Sequence, residues 1–133
     1  MSRVAEAVAK KTGGRYNCAQ AVACTYSDVV GLDEETVGAL TAGFGAGMGC
    51  GEGTCGALSG AGVVLGGCLK DRAQAMMAVK SLMQRFEARN GATVCRELKG
   101  VGTGQALRAC NDCVADSAEF LETVLAQAGV PVK

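Results

Sequence analysis

From Gly43 to Gly56 the chain reads GFGAGMGCGEGTCG, with glycine at every second position as far as Gly53. A glycine in an element interior costs about 0.5–1 kcal/mol relative to alanine, so no regular helix or strand is expected to run through this stretch. A loop is expected, and one in which side chains would obstruct something. Either backbone packs on backbone there, or a ligand sits against it.

On both sides of the loop the apolar residues recur at helical spacing. Val4 and Val8 open a first helix, Lys10 and Lys11 suit its C-terminus, and Gly13-Gly14 stop it. Asn17 followed by Gln20 has the form of a capping box, and Val22, Thr25 and Val29 then carry one face to Gly31. Asp33-Glu34-Glu35 place acid at the positive end of a third helix, whose inner face is expected to hold Val37, Leu40 and Phe44. Thr54 is expected to cap a fourth and most buried helix running to about Leu69. Its small residues Gly56, Gly60, Gly62 and Gly66 would admit a neighbouring helix closely.

Asp71 and Gln74 cap the next helix, with Met76, Val79, Met83 and Phe86 inward and Asn90-Gly91 at its end. A short helical turn is expected over Thr93 to Lys99. The last helix carries Val114, Ala118, Leu121, Leu125 and Ala128 on one stripe before Gly129 and Pro131. No strand pattern competes. The expected fold is therefore all-α, a compact multi-helix bundle with a glycine-rich loop before a buried central helix.

At 133 residues the chain suits one domain, residues 1–133, with one core. Lysine plus arginine (13) balances aspartate plus glutamate (13), so no basic footprint for nucleic acid or anionic lipid is present. The uncharged stretches Thr36 to Gly51 and Gly53 to Leu69 fall short of the ~20 apolar residues that span a bilayer, and are expected in the core. The first residues, MSRVAEAVAKKTGG, lack a continuous apolar h-region, which points to the cytoplasm. In that compartment eight cysteines suggest metal binding or redox chemistry rather than a static disulfide framework.

Four of those cysteines fall at equivalent places, each in the first turn of an expected helix: Cys18 after Asn17, Cys55 after Thr54, Cys95 after Thr93, and Cys110 at the start of the last helix. Unpaired N–H groups and the positive end of the helix dipole favour a thiolate there, the form of cysteine that attacks and ligates. Cys24 and Cys68 sit inside helices and read as small core hydrophobes. Cys50 and Cys113 are candidate resolving partners. Cys110-Asn111-Asp112-Cys113 has the C-x-x-C spacing of a disulfide or of two metal ligands, but the strands of a thioredoxin and the second knuckle of a zinc ribbon are missing.

The chain has no histidine, which removes the commonest general base and every mixed Cys/His metal site. A metal held by side chains would use sulfur, which favours an iron–sulfur cluster, zinc or copper(I). Glu52 and Asp112, near the thiols in sequence, read as surface or capping charges. Gly51 to Gly56 satisfies G-x-G-x-x-G without the preceding strand that a dinucleotide site requires, and no P-loop is present.

With NCAQAV at Asn17, GEGTCGALSGAGVVLG from Gly51, CRELKG at Cys95 and CNDCV at Cys110, the chain resembles the C_GCAxxG_C_C family, small proteins assigned a redox role from their shared cysteines. The resemblance covers nearly the whole chain. It maps the four shared cysteines onto Cys18, Cys55, Cys95 and Cys110, and leaves Cys24, Cys50, Cys68 and Cys113 as additions.

The leading expectation is one site formed by Cys18, Cys55, Cys95 and Cys110, binding an iron–sulfur cluster for electron transfer with a redox partner protein. Gly51 and Gly53 would let successive N–H groups form an anion nest toward it, with Gly56 beside them. Two alternatives stand beside this: a metal-free thiol–disulfide oxidoreductase, and a zinc-stapled or purely helical interaction module. A homo-oligomer is compatible with any of the three.

Overall fold

Side-chain capping sets the starts of three helices. In the computed structural model, which describes residues 2–133, the helices are α1 (Val4–Thr12), α2 (Cys18–Thr25), α3 (Ser27–Val30), α4 (Glu34–Thr41), α5 (Gly45–Met48), α6 (Gly56–Leu69), α7 (Arg72–Asn90), α8 (Cys95–Lys99) and α9 (Cys110–Gln127), of which α5 is a turn within the glycine loop whose Ala46 and Gly47 have left-handed rather than helical angles. Asn17 and Gln20 form the expected capping box at α2, each side chain bonding the other's backbone N–H at 2.9 and 3.0 Å. Asp33 caps α4 and Asp71 caps α7 without the reciprocal bond, each carboxylate accepting the N–H three residues on. The fold is all-α. Among the described residues there is no strand, and the β pairing is an isolated antiparallel bridge between Thr54 and Val94.

The central position of α6 follows from its composition. It packs against α2, α7 and α9, and Leu58, Val64 and Leu65 are buried to within 2 %. Each such side chain contributes about 1.5–3 kcal/mol by leaving water. A Cβ on Gly60 would stand 2.4 Å from the carbonyl oxygen of Ala19, so this glycine is what allows α2 and α6 to cross so closely. Gly62 and Gly66 do not share that role, since a Cβ on either meets nothing nearer than 3.8 Å.

Four features differ from expectation. The helix after Asn17 breaks at Tyr26, whose fully buried ring donates its hydroxyl to the Glu122 carboxylate on α9. Leu40 faces solvent, because α4 buries only the strip through Val37 and Thr41. On α7 the inward stripe is Ala78, Leu82 and Phe86; Met76 is exposed and Val79 and Met83 flank the core. On α9, Val114, Ala118, Leu121 and Leu125 face inward, while Ala128 lies beyond the helix and is exposed. No helix among the described residues is long and apolar enough to cross a membrane.

Candidate functional site

Four helix starts converge on one cavity of about 170 Å³, lined by Cys18, Cys55, Cys95, Cys110 and Cys113. Cys18, Cys95 and Cys110 are the first residues of α2, α8 and α9. Cys55 is the N-cap of α6, one position earlier in the helix than its sequence suggests. The shift has a long-range cause. Thr54 pairs with Val94 across the bridge, and around it Cys55 N–H donates to the Thr93 carbonyl (2.7 Å) while Cys95 N–H donates to the Gly53 carbonyl (2.9 Å). Main chain thus holds the starts of α6 and α8 side by side.

The glycine loop makes room for these residues. A Cβ on Gly47 would stand 2.4 Å from the Cβ of Cys95, one on Gly45 would stand 2.4 Å from the Asn17 side chain, and one on Gly56 would stand 2.4 Å from the Cys18 Sγ. The N–H groups expected to form a nest are otherwise engaged: Gly51 donates to the Ala46 carbonyl at 2.8 Å and Gly53 to the Gly47 carbonyl at 3.1 Å. The loop N–H that reaches the Cys18 sulfur belongs to Ala46. Ala46 has φ 55°, a left-handed conformation unusual for a residue with a Cβ.

The thiols stand in two pairs. Cys110 lies close enough to Cys18 to hydrogen-bond its thiolate form, and Cys113 stands in the same relation to Cys55. That bond is the largest influence on Cys18; burial opposes it, the Ala46 and Ala19 N–H groups and the Lys11 charge add to it, and the Cys18 thiol is lowered to about 5. Its donor Cys110 is held well above the ordinary thiol range by the same bond and then by burial. Cys55 is lowered by the bond from Cys113 against the cost of burial, with help from the Ala57 and Leu58 N–H groups, and Cys113 is correspondingly raised. In the first pair Cys18 is a thiolate held by a thiol; in the second the Cys55 thiol is shifted in the same direction by Cys113. For Cys95 burial dominates and pushes the thiol up, which Lys99 only partly offsets.

Cys113 is therefore a full member of the site, and the C-x-x-C spacing, which puts its two thiols on one face of α9, is the signal that marks it. Its two cysteines do not pair with each other; each meets a partner from another helix. Cys50 lies apart, exposed, on a neighbouring cavity with Glu52 and Arg96. Cys24 is buried in the core against the Glu34 carbonyl (3.6 Å), and Cys68 packs at the edge of the core. Among the described residues no three His, Cys, Asp or Glu side chains stand together as ligands for a single metal ion.

Sequence reasoning missed the cations. Lys11, Lys99 and Arg108 join the cavity wall from α1, α8 and the segment before α9. Arg108 is oriented by Asp116, one turn beyond Cys113, through bonds of 3.0 and 3.1 Å; Arg89 (3.0 Å) and Asn90 (3.2 Å) complete the shell of that buried carboxylate. A family model described as "Putative redox-active protein (C_GCAxxG_C_C)" matches residues 16–124. No curated protein and no solved structure matches the chain.

Proposed function

We propose that this chain, which belongs to the C_GCAxxG_C_C family, works as a thiol-based redox protein whose reacting couple is Cys18 with Cys110, backed by Cys55 with Cys113. The observation that carries the reading is the pairwise contact of four thiols on one cavity wall. A thiolate beside a protonated thiol is the reduced form of a thiol–disulfide exchange site.

The chemistry balances with a disulfide as oxidant. Cys18 Sγ attacks one sulfur of the incoming disulfide, whose S–S bond breaks, giving a mixed disulfide and a departing thiolate. Cys110 passes its proton to that thiolate and attacks Cys18 Sγ, releasing the second half as thiolate. The protein couple is oxidised by two electrons and the incoming disulfide is reduced by two. N–H groups of Ala46 and Ala19 stabilise the attacking sulfur throughout.

A second reading has its own support. Four cysteines at helix starts around a cavity with an all-sulfur donor set suit an iron–sulfur cluster, which Cys18, Cys55, Cys95 and Cys110 would hold and which would supply one-electron transfer. A zinc staple draws its thiolates around one ion, a tighter demand than these pairs meet. Anaerobic purification followed by iron, zinc, acid-labile sulfide and free-thiol assays separates the readings. The dithiol reading expects reduced, metal-free protein that oxidises reversibly at the cavity. Stoichiometric iron and sulfide, lost in Cys18→Ser and Cys95→Ser variants, would overturn it in favour of the cluster.

A further inference from the structure

The wall of the thiol cavity carries three basic side chains, Lys11, Lys99 and Arg108, and no acidic one. Their charges are not equivalent. Arg108 is already matched by the two oxygens of Asp116. Among the described residues neither Lys11 nor Lys99 has a carboxylate within ion-pair distance, although the chain as a whole is neutral. Two cations without a carboxylate partner thus stand on the wall of a site whose Cys18 thiolate repels anions.

Resting on the dithiol reading above, we infer that the cavity selects a small disulfide bearing negative charge beside its S–S bond, with Lys11 and Lys99 as the residues that recognise the charge. The size agrees. At about 170 Å³ the cavity has room for roughly five or six volumes of a liquid water (~30 Å³ each), enough for the S–S bond and the atoms next to it while the remainder stays outside. Lysines around a partly enclosed site also raise the local concentration of an anion, an effect that salt weakens. Two positive charges offset the repulsion by the Cys18 thiolate, and a neutral disulfide gains nothing from them.

The test compares an anionic probe, dithiobis-nitrobenzoate, with a neutral one, dithiodipyridine. Reduced wild-type protein and the Lys11→Gln/Lys99→Gln variant are each treated with both probes, and the rate of Cys18–Cys110 disulfide formation is read by peptide mass spectrometry. Taking the ratio of the two rates removes any change in thiol reactivity common to both. The expected result is a ratio about tenfold lower in the variant, with added salt shrinking the wild-type ratio toward it. Lys11→Arg/Lys99→Arg, which keeps the charge, should hold the wild-type ratio; if the glutamine variant folds poorly, the wild-type salt series decides, and a ratio that added salt leaves unchanged overturns the inference. Equal ratios in wild type and the charge-removed protein would overturn the inference and leave the dithiol reading intact. Failure of both probes to join Cys18 to Cys110 would overturn both.

Discussion

Gly56 and Cys18 occupy one another's space: the place where a Cβ of residue 56 would stand lies 2.4 Å from the Cys18 Sγ and 2.8 Å from the Phe44 carbonyl oxygen. Gly56→Ala should therefore displace the thiol or the loop, costing about 1–3 kcal/mol as overpacking does. Chemical denaturation measures the cost, and alkylation of Cys18 reports the displacement. Gly66→Ala is the contrast. Gly66 lies in the same helix, is exposed and has open space, so alanine there should stabilise by about 0.5–1 kcal/mol.

The Cys18 thiolate should persist in ultraviolet absorbance down to a midpoint of about 5, and Cys110→Ala, which removes the principal hydrogen bond, should move the midpoint upward. The sign of the stability effect follows. The folded value lies below the ordinary thiol value of ~8.5, so the thiolate's contribution is complete above that pH and is lost as pH falls toward 5. Under reducing conditions the advantage of wild type over Cys110→Ala should shrink across the same window. A constant difference would remove the thiolate assignment.

Mild oxidation of the reduced protein should give Cys18–Cys110 and Cys55–Cys113 bonds, with no bond inside the C-x-x-C segment. Each cysteine of α9 already touches its cross-helix partner. Non-reducing peptide maps decide this, and a dominant Cys110–Cys113 product would contradict the pairing.

Asp116→Asn should destabilise the fold by about 2–3 kcal/mol, because two arginines lose the carboxylate they share. Burial alone would raise the Asp116 carboxyl, but the bonds from Arg108, Arg89 and Asn90 outweigh it and hold the group below the usual carboxylate range. Its contribution is therefore present above ~4 and is lost as pH falls below that. Denaturation curves of wild type and Asp116→Asn should converge in acid.

Features that depend on neighbours three or four residues away were legible in the sequence. The Asn17–Gln20 and Asp71–Gln74 caps and the four cysteines at helix starts belong to this class. What depends on contacts across the chain was not. Nothing near Thr54 in sequence announces that Val94 will pair with it and push the helix start to Gly56. Met76 and Leu82 are both apolar on α7, and only the position of α6 and α9 decides that Leu82 faces inward. The glycine pattern identified a crowded segment correctly, but the direction of an N–H vector is a tertiary fact, which is why Ala46 rather than Gly51 or Gly53 reaches the thiolate.

One rod, α9, carries a member of each thiol pair within a single turn at its tip, while the rest of its length is fixed against α1, α6 and α7. Bond formation would draw two sulfurs together, so closing the Cys18–Cys110 gap would pull on the same tip that sets the Cys55–Cys113 gap. On the proposed dithiol chemistry the two couples would share a mechanical lever, and the second pair of electrons would leave from a site whose geometry already records the departure of the first.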